Sequence, residues 1–369
     1  QNGAFISRWV VDKSTLAVRS ASDLIRNVNI WNGTGYTTYN ALNPSPLASF
    51  SRFCSADLPA QTAFFNAATG RGTTERLFMN GEENGEVGRC FAHIASGTNS
   101  GTSYELPALG KYSVENIVAS PVVSDKTLVV GMDDTTPGQV YVYIGTKTTT
   151  GTEVDKAGLT NGKLYGVAVS GMTIETSAAV PSANTAFTLV DLGNVRDSSG
   201  AALNTMSNAR GVTNFLRPED GAWDPSNPQD FYFVTTNSFT APSRMWRLRF
   251  SDITKPENGG TITAVLRGTE GPKMMDNITL DTYGHVLIQE DVGNNAHNGK
   301  IWEYTIATGE LKLLAQHDTS RFVVGGSQYL TQDEESSGII DAQNIFGPGY
   351  FLLVDQAHYP IPGAAVEGG

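Results

Sequence analysis

Five acidic residues stand at comparable places along the chain: Glu83, Glu115, Glu219, Asp276 and Glu335. Carboxylates drawn to one locus repel each other strongly once water is excluded, so such a cluster persists only if protons or cations neutralise it. Six to eight oxygen donors suit calcium, and the adjacent Glu82, Asp133, Asn277 and Asp291 could complete more than one site. The segment Phe215-Leu-Arg-Pro-Glu-Asp-Gly-Ala-Trp223 adds a fixed cation beside one of the acids. Arg217 precedes a proline that stiffens its turn, so the guanidinium could clamp an anionic group held by the metals. A salt bridge to Asp220 or Glu219 is the plainer alternative for the same residue. Isolated acids more often cap turns and face solvent, and it is the recurrence in register that favours the metal reading.

What would bring these acids together is a repeated sheet. One copy of a shared pattern runs from Glu115 through Asn116-Ile-Val-Ala-Ser-Pro121 and Lys126-Thr-Leu-Val-Val130 to Asp133-Asp134. A second runs from Glu219 through Asp230-Phe-Tyr-Phe-Val234 to Asn237, a third from Asp276 through His285-Val-Leu-Ile288 to Asp291, and a fourth from Glu335 through Tyr350-Phe-Leu-Leu-Val354 to His358. Glu82-Glu83 reads as a fifth acidic start. The leading acids are 104, 57 and 59 residues apart, a period that fits β-propeller blades with long loops, the wide interval holding two blades or one blade with an insertion. Gln139–Ile144, Arg244–Phe250 and Lys300–Ile306 alternate β-formers with polar residues and read as exposed-face strands closing each meander. Ser20 to Val28 is the best helix candidate. The expectation is an all-β, six-bladed propeller with long loops and little helix. It forms a single domain over residues 1–369, with 1–50 as a peripheral N-terminal segment and 360–369 as a tail. In such a fold the first strand of each blade lines a central channel, where equivalent acids would meet.

Composition narrows the partners. The 369 residues carry 25 basic and 37 acidic side chains, a net charge of −12. That balance argues against a nucleic-acid partner, whose phosphates call for basic neutralisation. No apolar run approaches bilayer length, so no membrane insertion is expected. Cys54 and Cys90 permit one disulfide, which would suit an oxidising compartment. The chain has no Gly-x-Ser-x-Gly elbow, His-Glu-x-x-His motif, phosphate loop or Cys-x-x-Cys pair. Of the five histidines, His358 would lie nearest the channel, while His93, His285, His297 and His317 read as surface or strand residues.

The order and wording of Asn80 to Gly85, Gly110 to Asp134, Phe215 to Thr236, Met275 to Gly293 and Glu335 to His358 resemble the PhoX-type alkaline phosphatases, secreted bacterial β-propeller enzymes that use calcium and iron. The Arg-Pro-Glu segment is the most distinctive match. The resemblance implies Glu82 or Glu83, Glu115, Glu219, Asp276 and Glu335 as metal ligands, and Arg217 as the group that meets the phosphate. It further implies a secreted or periplasmic, monomeric enzyme acting on small-molecule phosphate esters, with calcium and iron as cofactors. The family's iron-binding cysteine lies just before the paired glutamates in a Cys-Ala-Gly-Gly stretch, whereas Cys54 lies 28 residues before Glu82 without those glycines. Cys54 is therefore either a thiolate ligand or half of a disulfide with Cys90. Two other functions stay open: a non-catalytic calcium-binding propeller with a structural or surface-binding role, and a propeller hydrolase acting on a lactone or other ester.

Overall fold

A computed structural model describes residues 3–360, 367 and 368, so the expected tail lies almost wholly outside the described residues. The chain forms two compact units. The first comprises Gln1–Ile174, Ala186–Phe215 and Phe250–Gly260, and the second Glu175–Thr185, Leu216–Arg249 and Thr261–Gly369.

In the first unit a six-stranded sheet runs in the order Tyr36–Asn40, Asn27–Trp31, Thr102–Glu105, Cys90–Ile94, Leu77–Glu82, Phe53–Asp57. A second sheet begins at Val114–Ala119 and continues antiparallel through Lys126–Asp133, Gly138–Thr146, Lys163–Val169 and Thr185–Gly193. Leu77, Met79, Ile94, Val114, Val129 and Leu164 are at most 1% exposed and share one core, which is how alternate apolar residues of neighbouring strands pay back their ordering. The 104-residue interval therefore holds extra strands and the ten-residue helix Gly200–Ala209, started by the Ser199 side chain accepting from the Ala202 amide at 3.2 Å. That helix is the longest among the described residues, the other α-helices spanning four residues each.

In the second unit Pro218–Trp223, Asp230–Thr235, Arg244–Phe250 and Gly260–Leu266 form one antiparallel meander, and Met275–Leu280, His285–Glu290, Lys300–Thr305 and Glu310–Gln316 another. Tyr232, Val234, Met245, Met275, Val286 and Ile288 build its core. Glu334–Asp341 and Phe351–Ala357 form a two-stranded sheet. Leu352, Leu353 and Val354 on that second strand are 45%, 51% and 60% exposed.

Two expectations need correction. Ser20 to Val28 is not helical: Val18–Asp23 and Asn27–Trp31 are strands. Val28 and Ile30 pack with Leu24, Ile25, Phe50 and Phe91, and Asn29 bonds to the Ser103 carbonyl at 3.2 Å and to Thr38 Oγ1 at 2.6 Å, so long-range partners decide the local structure. The three alternating segments are third strands, each followed by a fourth; Gly138–Thr146 and Arg244–Phe250 are largely buried, whereas Lys300–Thr305 is half-buried. In the first two the polar alternation marks hydrogen-bonded side chains rather than a solvated face: Gln139 bonds Tyr141 OH at 3.0 Å, and Arg244 pairs with Glu175.

Candidate metal centre

Every leading strand starts in the same way. Its first residue is paired with the last residue of the second strand or the one closing it: Phe53 with Glu82 and Val114 with Asp133 in the first unit, Pro218 with Thr235, Met275 with Glu290 and Glu334 with Ala357 in the second. The register then slips, between Phe53 and Ala56, Val114 and Asn116, Pro218 and Gly221, Met275 and Ile278, and Ser336 and Gly338. Such bulges re-aim a side chain out of the normal alternation, except that Glu335 lies ahead of its strand's slip, paired with Gln356. The residue after the first is Cys54, Glu115, Glu219, Asp276 or Glu335. The fifth leading position is thus held by Cys54, and Glu82-Glu83 does not open a strand but ends the second one. Sequence inspection missed this because Phe53–Asp57 is short, carries a thiol where its counterparts carry acids, and is separated from its partner strand by 19 residues.

In the first unit, ligand atoms of Cys54, Glu83 and Glu115 lie within 4.8 Å of one another. Glu115 is fully buried; Ser55 Oγ donates to its Oε1 at 2.6 Å and the Cys54 thiol also hydrogen-bonds to it. Its Oε2 has no hydrogen-bond partner among the described residues. Burial, with Asp134 and Glu83 nearby, pushes its pKa up to about 7 despite those bonds. Glu83 is ion-paired with Arg52. Glu82 is turned elsewhere: Arg89 grips it from two nitrogens at 2.6 and 2.8 Å, and the Ser51 amide donates to it at 2.8 Å. Asp133 sits on the neighbouring strand, accepts from the Ser113 amide at 3.2 Å, and is also raised to about 7 by burial. No disulfide joins the two cysteines. Cys90 is buried against Tyr112, 3.7 Å from its hydroxyl, and burial pushes its thiol up to about 12.

In the second unit, ligand atoms of Glu219 and Asp276 lie within 4.8 Å of each other, and both residues are buried. Asn277 is buried beside Asp276, and Asp220 accepts from the Ile278 amide at 3.2 Å. Arg217 Nη2 reaches Glu219 Oε1 at 2.8 Å while its side chain stays 27% exposed. Asp291 bridges to Glu335 through the backbone, and its carboxyl is raised by burial and Asp333 but held down by Arg217 and His358. Glu335 accepts from Ser337 Oγ at 2.6 Å. His358 lies 3.6 Å from Asp333. Glu290, which sequence reading passed over, is fully buried and held by His297 at 2.8 Å, Trp302 Nε1 at 2.9 Å and the Lys273 amide at 2.8 Å.

The donor sets fit metals. The orphaned Glu115 Oε2 beside a second carboxylate and a thiol suits a cation of intermediate softness, while the all-oxygen Glu219 and Asp276 suit a hard one.

No protein-family model matches the sequence, and no curated protein matches it. Among solved structures the chain is similar to PhoX of Pseudomonas fluorescens in complex with vanadate, a transition-state analogue, with a TM-score of 0.55 and 13% identity over 88% of this chain and 72% of that one. An oligogalacturonate lyase in complex with manganese is similar at 12% identity over 78% of this chain and 73% of that one, but at a TM-score of 0.28 that likeness carries no argument. The similarity to PhoX is one of fold: the chain is an all-β, propeller-like protein with little helix.

Proposed function

We propose that the chain is a metal-dependent phosphate-ester hydrolase of the PhoX kind. The observation that supports this best is the buried pair Glu219 and Asp276 with Arg217 beside it, on a fold similar to a phosphatase. Glu219 and Asp276, with Asn277, Asp291 and Glu335 near them in sequence or in the sheet, would hold calcium. Glu115, Glu83 and Cys54 would hold a softer ion such as iron, with Asp133 supporting and Glu82 fixed by Arg89. Bound cations would supply charge neutralisation and an acidified water for attack at phosphorus. Arg217 would leave Glu219 to donate to the phosphoryl oxygens as their charge develops. The substrate class is small phosphomonoesters, and the setting a bacterial periplasm or exterior with the protein as a monomer. No helix among the described residues is long and apolar enough to cross a membrane.

The ion pair between Arg217 and Glu219 favours one competing reading, in which the metals brace a non-catalytic propeller and the arginine is merely structural. Elemental analysis of the purified protein, paired with p-nitrophenyl phosphate turnover before and after chelation, separates the two. Calcium with chelator-sensitive turnover supports the hydrolase, and iron in addition supports Cys54 as its ligand. Calcium without turnover leaves the bracing role, and absence of both metal and turnover sinks the proposal.

A further inference from the structure

Arg217 has a backbone φ of +59°, a left-handed conformation uncommon for a long side chain and further disfavoured before proline. Hydrogen bonds hold the turn, three of them from its backbone. The Leu216 carbonyl accepts from the Asn237 amide at 3.0 Å, and the Arg217 carbonyl from the Thr236 amide at 3.0 Å. The third runs from the Leu216 amide to Glu175 Oε2 at 2.9 Å and, of these three, is the one that depends on a side chain. Glu175 Oε1 accepts from Arg244 Nη1 at 2.6 Å and from Thr235 Oγ1 at 3.1 Å. Both charged side chains are sealed in, 0% exposed for Glu175 and 1% for Arg244. Arg244 also donates to the Ser177 and Arg267 carbonyls at 3.3 Å each, and Trp246 Nε1 donates to Thr235 Oγ1 at 3.1 Å.

A buried ion pair is seldom the cheapest way to gain stability, since removing two charges from water costs about what their attraction returns. What it does provide is direction. The two carboxylate oxygens divide the work, Oε2 serving Leu216 and Oε1 serving Arg244 and Thr235; burial raises the Glu175 carboxyl, and the Leu216 amide, Arg244 and Thr235 oppose that rise. Residues in sparsely populated conformations persist where surrounding contacts over-determine them, and they gather at functional sites.

We propose that Glu175, braced by Arg244, is a positioning residue that holds the turn at Arg217 so that its guanidinium points to the Glu219 side of the site. This rests on the phosphate reading for its consequence, though not for its geometry. Hydrogen exchange at the Leu216 amide tests the geometry without any ligand, and is expected to quicken at least tenfold in Glu175→Gln while neighbouring strand amides hold. Affinity for inorganic phosphate tests the consequence in the calcium-loaded protein. Glu175→Gln and Arg217→Ala should each weaken it about tenfold with calcium content retained, and the double variant should lose no more than either alone. Should the single variant fail to fold, Glu175→Gln with Arg244→Met removes both buried charges together and is read in the same way. Unchanged Leu216 exchange, or losses that multiply in the double variant, overturns the positioning role. Wild-type protein that binds no phosphate overturns the phosphate reading instead, and the Leu216 exchange still decides the geometry.

Discussion

His93 is enclosed on all sides, 1% exposed, with Nδ1 2.7 Å from Ser103 Oγ and Nε2 2.8 Å from Asn80 Oδ1. Neither partner carries a charge to reward a second proton, and burial lowers its pKa to about 3. The unfolded chain binds that proton near the usual histidine value, so between the two values the unfolded state holds more protons than the native one. Stability is then complete above about pH 6.5 and falls as pH drops, by roughly 1.4 kcal/mol per pH unit in the limit where only this group titrates. Urea unfolding of wild type and His93→Gln between pH 7 and 5 should show a shallower pH dependence in the variant, and equal slopes would remove His93 from the account. The sequence named His93 only as a strand or surface residue; its seclusion comes from Asn80 and Ser103, one on each flanking strand, and such cross-strand pairing is invisible until register is known.

The leading strands show what register adds. Strand periodicity exposed the repeat, and the acids Glu115, Glu219, Asp276 and Glu335 each stand second in a leading strand, because the same strand-turn-strand pattern follows each. The thiol at the fifth position could not be matched by residue type, and the bulge that takes in Cys54, Glu115, Glu219 and Asp276 depends on pairing across strands. Gly221 lies where one bulge ends. A Cβ there would fall 2.4 Å from Phe231 Cζ and 2.8 Å from the Tyr232 carbonyl oxygen, so the strand must shift to admit it. Gly221→Ala should cost about 1 to 3 kcal/mol in chemical denaturation and lower bound calcium with it, through displaced Glu219. Stability lost with full calcium retained would mean the bulge does not aim the ligand.

Across the whole chain, a net charge of −12 sets up repulsion between copies, yet charge is not spread over every surface. Phe351–Ala357 presents Leu352, Leu353 and Val354 to solvent along an edge whose other side pairs with nothing among the described residues. Folded proteins usually blunt such a strand with lysine, proline or a cover, because an apolar row of unsatisfied amides and carbonyls templates further strands. The practical result would appear in the tube rather than in the active site: concentrated samples of these 369 residues should cloud and raise thioflavin fluorescence on standing, increasingly so as salt screens the acidic surface. Val354→Lys should lengthen the lag of that process severalfold without altering thermal unfolding. An unchanged lag would place the weak point for storage elsewhere, and a lengthened one would make this single strand the first target for anyone preparing the protein at high concentration.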